Sequence, residues 1–361
     1  RSLAATLARG STAATQWHCA QGHAWSTPVY ARVAGNGCPH CCPIGSSCGE
    51  QELLAAVLEL DPGARHRVRI PGTASEVDVL AGGLAVEFNG TFWHSEAGGR
   101  SRTHHRDKLE AVRRAGWSLL TVWEDDWGRP ERRAVLVRTL AHRLHALDRL
   151  PRAFEAAGLD PLAARDCMGR HGARTLQVVE LSGTGAAEFF TLNHVQGAVA
   201  LGRTLALVDA CGVVRSALGL RSPRHSARAR RKEGWWEIQR YATRGLVPGG
   251  FTRLLAHAEQ LLRAEGEALA AWVSLSADES SDGELYAAAG FEHAGQVAPN
   301  YWYTGGRLRH ARQPKEAFQK RRFATDPALV WQEGWTEREA ATANGLHRVW
   351  DAGKTRWVKT L

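Results

Sequence analysis

The stretch from Glu76 to Trp93 constrains this chain most. Val77, Val79, Val86 and Phe88 alternate with Glu76, Asp78, Ala85 and Glu87 on either side of Gly82-Gly83. That period of two predicts a β-hairpin closed by a two-residue glycine turn. With this loop, Ala81 pairs with Leu84, Val79 with Val86, Val77 with Phe88, and Asp78 with Glu87. Directly opposed residues share a face, with Cβ atoms about 4.5–5.5 Å apart. One face is then apolar and buried, and the other sets two carboxylates side by side. A divalent cation between them would relieve their repulsion. Taken alone, the hairpin equally fits a solvated strand with exposed acids.

The flanking residues favour the first reading. Asn89 and Gly90 turn the chain, Phe92, Trp93 and His94 follow, and Gly98-Gly99 is typical of a mobile loop. A helix then runs from His104 through Asp107 and Lys108, with Leu109 and Val112 inward, to near Gly116. Three- and four-residue spacings put His104, Asp107 and Lys108 on one face. Ser118 to Trp123 is an apolar strand closed by Glu124, Asp125 and Asp126. Upstream, Glu50 and Glu52 open a helix bearing Leu53, Leu54, Val57 and Leu58.

At the N-terminus, Cys19 and His23 have three residues between them, Cys38 and Cys41 have two, and fourteen separate the pairs. Each pair can fill two corners of a tetrahedron from one tight turn, as structural zinc requires. So short a segment cannot bury a core of its own, so the metal would supply its stability. Only one of Cys41 and Cys42 is needed, and His40 reads as a surface residue. With Trp17 before the first Cys and Cys38-Pro39-His40-Cys41 at the end, the stretch resembles small zinc-ribbon modules.

The block from Gly49 to Trp127 resembles the very-short-patch mismatch-repair endonucleases of the PD-(D/E)XK group. It is still more similar to the phage homing endonucleases named for an EDxHD signature. Glu52, Asp78, Glu87, His94 in Phe-Trp-His and Asp107 in Arg-Asp-Lys carry the match, with Gly116-Trp117 and Trp123-Glu124. The resemblance implies that Asp78 and Glu87 hold a catalytic Mg²⁺ that polarises the scissile phosphate. It also implies that His94 is the general base, helped by Asp107, with Glu52 as a supporting ligand or water-orienting group. Asn89 stands where a Lys is common in the wider group, which moves the water-activating role to His94. His104 or His105 could take part, although each alone reads more readily as a surface histidine.

From Leu176 the pattern is strand, helix (Gly185 to Leu192), two strands (Leu205 to Val208, Val213 to Leu220) and a strand around Glu237 to Tyr241. Pro248-Gly249-Gly250 then opens an amphipathic helix through Phe251, Leu254, Leu255, Ala258, Leu261 and Leu262. Leu269 to Leu275, Leu285 to Ala289 and Asn300 to Tyr303 complete a unit resembling the GNAT acyltransferase fold. Helix N-terminal amides attract anions, but Arg244 and Gly249-Gly250 depart from that family's coenzyme A spacing, so acetyl-CoA belongs to the alternative reading. Between two strands, Arg221, Arg224, Arg228, Arg230, Arg231 and Lys232 precede Trp235-Trp236, and Lys320 and Arg321 lie in a second basic-aromatic stretch. Such loops suit a phosphate backbone. The net charge of +9 agrees with a polyanionic partner.

The sequence thus predicts an α/β multidomain protein. Its parts are a zinc ribbon (16–43), a restriction-endonuclease-like α/β core (49–128), a helical connector (129–173), a GNAT-like α/β domain (174–304) and a basic C-terminal extension (305–361). The expected activity is Mg²⁺-dependent endonucleolytic hydrolysis of double-stranded DNA, of homing type, in the cytoplasm of a bacterial host. Structural Zn²⁺ sits at Cys19, His23, Cys38 and Cys41, and Arg224, Arg228, Arg230, Arg231, Lys232, Lys320 and Arg321 contact DNA. No membrane contact is expected, since no apolar run approaches the roughly 18–20 residues of a span. The alternatives are a GNAT-type acyltransferase acting on nucleic acid or protein, and a non-catalytic DNA-binding protein.

Overall fold

The computed structural model describes residues 10–19, 22–33, 37–41, 46–225 and 232–361. Near the N-terminus, β1 (Ala14–His18) and β2 (Ala24–Pro28) form an antiparallel hairpin followed by the short helix α1 (Val29–Val33). Trp17 and Trp25 pair across the hairpin, and Arg32 lies over both rings at 5.4 Å.

The next unit runs α2 (Cys48–Leu60), β3 (Arg65–Arg69), β4 (Glu76–Ala81), β5 (Leu84–Asn89), α3 (His104–Arg114) and β6 (Ser118–Trp123). Its sheet has the order β3-β4-β5-β6, antiparallel except for the parallel pair β5-β6. The hairpin register is Ala81 with Leu84, Leu80 with Ala85, and Val79 with Val86. Gly82 and Gly83 turn at φ 47° and 88°, positive at both central positions, as a type I′ turn needs. The sheet is not buried on one face only. Val79, Ala81, Leu84 and Val86 join Leu53, Ala56, Val57 and Leu60 of α2 in one core. Leu80 and Ala85 join Leu109 and Val112 of α3 in another.

After α4 (Glu124–Trp127), α5 (Pro130–Arg143), α6 (Leu150–Ala156) and α7 (Pro161–Arg165) extend the first of these cores. The larger unit contains β7 (Gln177–Glu180), α8 (Gly183–Asn193), β8 (Arg203–Val208), β9 (Val214–Arg221), β10 (Trp235–Thr243), α9 (Gly250–Ala264), β11 (Ala271–Ala277) and β12 (Glu292–Val297). A small sheet of β13 (Tyr301–Gly305), β14 (Gln313–Pro314) and β15 (Leu346–Trp350) follows, and then β16 (Lys354–Thr360). The large sheet has the order β12-β16-β11-β10-β9-β8-β7, and only β10 and β11 pair in parallel. On α9, Phe251, Leu254, Leu255, Ala258 and Leu262 are buried at helical spacing against Leu205, Leu218 and Trp272.

Residues 305–361, expected as a separate basic extension, are not separate. β16 lies between β11 and β12, pairing Ala271–Ala277 with Lys354–Thr360 on one side and Glu292–Val297 on the other. The segment between β12 and β16 is therefore an insertion in the large sheet, and it packs on the smaller unit. Ser95 bridges to Val349, Glu96 N donates to Arg348 O at 2.8 Å, and Trp350 Nε1 donates to Glu96 Oε1 at 3.0 Å. The Gly98-Gly99 loop, expected to be mobile, is fastened by these contacts. A Cβ at Gly98 would lie 2.6 Å from Phe92 O and 2.7 Å from Trp93 O. Asp282 ties α3, β6 and α5 to the larger unit, accepting from Arg113, Ser118 and Arg143 at 3.1, 2.8 and 2.6 Å. Among the described residues, no helix is long and apolar enough to cross a membrane.

Candidate functional site

The carboxylates of the hairpin lie where its ladder ends. Beyond Val79 and Val86 the backbone pairing stops, and Asp78 Oδ2 accepts instead from Phe88 N at 2.7 Å. Glu87, on β5, is buried, and its Oε1 is paired with Lys108 Nζ from α3. Its Oε2 is buried with no hydrogen-bond partner. Burial pushes the Glu87 carboxyl up to about 7, with Asp78 and Glu50 adding to the rise and Lys108 opposing it. Burial also raises Asp78, and Glu50 adds to this, against the Phe88 amide, Lys108 and Arg67. Asp78, Glu87 and a third acid, Glu50, lie near enough to feel one another's charge, and one Glu87 oxygen lacks a partner. Among the described residues the three do not form a cluster with all ligand atoms within 4.8 Å of one another.

The third acid is Glu50 and not Glu52. Glu52 points to the other side of α2, where its Oε2 accepts from Trp127 Nε1 at 3.0 Å and pairs with Arg133 at 3.4 Å. Two residues apart on a helix means about 200° of rotation, so both cannot face the sheet end. Glu50 is the N3 residue of a capping box with Ser47, and its Oε1 lies 2.8 Å from His66 Nε2 and 3.4 Å from Arg67 Nε. The motif Ser47-Cys48-Gly49-Glu50 was readable in the sequence. Gly49 lets this helix end approach the site, since a Cβ there would lie 2.5 Å from the Phe88 ring.

Asn89 has no lysine in its place, and the cation beside Glu87 is Lys108 from α3. Asp107, one residue earlier, is exposed and accepts from Thr103 Oγ1 at 2.8 Å, away from His94. His94 sits against His105 and the edge of Trp123 at ring distances of 5.2 and 6.2 Å. Burial, with His105, Arg100, His104 and Lys108 nearby, pushes its imidazole down to about 2. Asp107, turned to Thr103, does not assist His94 as a base. His105 is buried, not a surface residue, and burial pushes it to about 3.

In the finger, Cys19, His23, Cys38 and Cys41 offer ligand atoms all within 4.8 Å of one another. Cys19 Sγ lies 3.7 Å from Cys41 Sγ and 3.4 Å from His23 Nδ1, and His23 Nδ1 lies 3.3 Å from Cys41 Sγ. A tetrahedron with Zn–S bonds of about 2.3 Å has S···S edges of about 3.8 Å, so the four residues fit structural Zn²⁺.

Of the seven expected DNA-contacting cations, four lie within the described residues. Arg228, Arg230 and Arg231 lie outside the described residues. Arg224 pairs with Glu267 at 3.0 Å, and Lys232 lies 3.8 Å over the Trp235 ring. Lys320 lies over the Trp331 ring at 5.6 Å, and Arg321 is exposed beside it in the chain. Nearer the carboxylates, Phe92 and Trp93 are 45% and 69% exposed, a pairing the sequence analysis did not single out as a surface.

Residues 2–44 match the family model described as a probable treble-clef zinc finger domain. The segment is a zinc finger, and the matched model is of the treble-clef class where a ribbon was expected. Among curated proteins none is similar enough to mark a relative. Solved structures similar to part of the chain include an IAA acetyltransferase from Bacillus cereus, at 14% identity over 52% of this chain and 99% of that one, with a TM-score of 0.27. A GNAT-family acetyltransferase from Elizabethkingia anophelis with acetyl-CoA bound is 10% identical over 52% and 99%, TM-score 0.27. A spermidine/spermine N-acetyltransferase from Vibrio cholerae is 12% identical over 52% and 94%, TM-score 0.27. Superpositions this loose carry no functional weight. Among the described residues the large sheet has one parallel pair, β10 with β11, and β16 lies between β11 and β12.

Proposed function

We propose that this protein is a metal-dependent DNA endonuclease whose active site is the end of the β4-β5 hairpin. The observation that carries this reading is the convergence of Asp78, Glu87 and Glu50 with Lys108, on a helix-three-strand-helix-strand unit. Asp78 and Glu87 would hold a divalent cation, which supplies charge to polarise the scissile phosphate and to acidify a bound water. Lys108 favours the ionised form of Glu87 against the burial that raises its carboxyl. Glu50 adds negative charge to the same end and is itself held by His66 and Arg67. A homing target and a phage origin remain part of this proposal, resting on the sequence resemblance alone. The zinc finger would add contacts to DNA.

Asp78→Asn and Glu87→Gln test the reading. Each should lower Mg²⁺-dependent cleavage of supercoiled DNA by at least about 100-fold, the scale of losing a principal electrostatic group, and leave DNA affinity within a few-fold. Full cleavage by either variant would overturn it.

The large sheet favours a second reading, an acyltransferase. β10 and β11 pair only over Trp235–Ile238 and Ala271–Ser274. Beyond that point a cavity of about 460 Å³ opens, lined by Gln239, Tyr241, Ser276 and Tyr286 and by Arg138 and His142 of α5. Against it, the loop before α9 is engaged by the connector. Leu246 N donates to Gly169 O at 2.9 Å, and Arg253 donates to Ala173 O. Saturable acetyl-CoA binding, together with intact Asp78→Asn activity, would put this reading first.

A further inference from the structure

His94, His104 and His105 have no part in the chemistry proposed above, yet the fold brings them together from two elements. Their rings lie 5.1 to 6.1 Å apart, His94 stacked on His105 at 25° and His104 edge-on to His105 at 78°. One ligand atom from each lies within 4.8 Å of the others. Nδ1 of His94 and Nε2 of His105 are buried without a hydrogen-bond partner, and His105 is only 7% exposed. Buried ring nitrogens are seldom left unmatched.

We infer that His94, His104 and His105 form a second metal site for a first-row transition ion such as Zn²⁺ or Co²⁺, distinct from the finger and from the Asp78–Glu87 pair. An ion there gives both buried nitrogens a partner. Asn89 supports it from β5. Its Nδ2 lies 3.4 Å from His105 Nδ1, and its Oδ1 is buried without a partner. Turned over, the amide accepts the Nδ1 proton and leaves the Nε2 lone pair for a metal, the usual way a neighbour fixes a ligating imidazole.

The charges around the cluster select the kind of ion. Arg100 and Lys108 face all three rings, while Asp107 faces His104 and Lys108 is paired with Glu87. Net positive surroundings oppose an ion held by charge alone. Mg²⁺ and Ca²⁺ also require oxygen ligands. Zn²⁺, Co²⁺, Ni²⁺ and Cu²⁺ bind imidazole strongly enough to enter. Three protein ligands leave a fourth position open.

The test is a Co²⁺ titration of the full chain after chelation, followed by visible spectroscopy. The finger should take one equivalent with intense thiolate-to-cobalt charge transfer, and the histidines a second with ligand-field bands only. His104→Ala, at a half-buried position, should lose the second equivalent alone, as should His105→Gln. Cys38→Ser should lose the first alone, and Asp78→Asn should lose neither. A single equivalent in the wild-type chain, or a second that survives both histidine variants or vanishes in Asp78→Asn, overturns the inference. Because no readout is cleavage, the endonuclease reading and this one can fail separately.

Discussion

Arg312 lies in a basic stretch of the chain, and a composition-based reading would hand it to DNA. The structure gives it another task. Its backbone N–H and Nε donate to Asp125 at 3.0 and 2.7 Å, its Nη2 donates to Asp126 at 2.7 Å, and its guanidinium lies 4.4 Å over the Trp123 ring. The side chains of Arg312 and Asp125 are each only 9% exposed. Removing one partner of a buried pair costs about 3–5 kcal/mol, because the other charge stays buried. That cost falls on Asp125. Asp126 keeps Arg129 at 2.6 Å and Arg132 at 3.1 Å. Arg312→Met should therefore cost about 3 kcal/mol or more in urea unfolding followed by tryptophan fluorescence. Adding Asp125→Asn should restore a large part of it, since no charge is then stranded. The DNA salt slope should not change, whereas a lost phosphate contact would reduce it by about one. A stability loss below about 1 kcal/mol, the range of an exposed pair, together with a smaller salt slope, would refute the reasoning.

Glu50→Gln should lower metal-dependent cleavage by at least about tenfold while Glu52→Gln leaves it near wild type; equal effects, measured as initial nicking rates, would return Glu52 to the site. Cys38→Ser should release one zinc by atomic absorption and unfold the finger hairpin, leaving the remainder of the chain folded by circular dichroism. Glu279 has a buried Oε2 without a partner, and burial with Asp351 nearby raises its carboxyl from 4.5 to about 7. The folded state therefore holds this proton more tightly than the unfolded chain, so stability is full below about 4.5 and falls as pH rises through about 7. Glu279→Gln should raise the melting temperature at pH 8, by at most on the order of 3 kcal/mol in stability, and scarcely at pH 5, with differential scanning fluorimetry as the check.

What the sequence made legible was local. The hairpin register from Ala81–Leu84 to Val79–Val86 followed from two glycines and a period of two, whereas the expected Val77–Phe88 and Asp78–Glu87 pairs are absent from the ladder; α9 followed from its apolar spacing. The four zinc ligands followed from spacing alone. The difference between Glu50 and Glu52 was also local: two residues apart on α2 they face different ways, and it is Glu50 whose charge reaches Asp78 and Glu87. Lys108 was placed on the correct face but not joined to Glu87, since that pairing spans 21 residues and depends on how α3 crosses β5. His105 was misread as a surface residue because burial at a helix start depends on what the preceding loop covers, and that loop is held from Arg348 and Trp350.

The least legible feature was the place of β16, and it changes how the units relate. A strand that enters a sheet between two earlier strands leaves no pattern of its own, because its partners lie tens of residues upstream. Lys320 and Arg321 upstream of it gave residues 305–361 the look of a basic tail. In the fold its ladder with β11 and β12 closes the large sheet. The insertion before it carries Trp350 to Glu96 and Arg312 to Asp125. Arg106 on α3 in turn donates to Val297 O and Ala352 O at 2.6 and 3.2 Å. The wall of the candidate site therefore depends on chain that lies beyond β12. A chain ended at 304 keeps Asp78 and Glu87 on their strands. It loses the strand that joins β11 to β12 and the contacts that hold the 90–103 loop. The larger unit and the insertion before β16 thus brace the smaller unit.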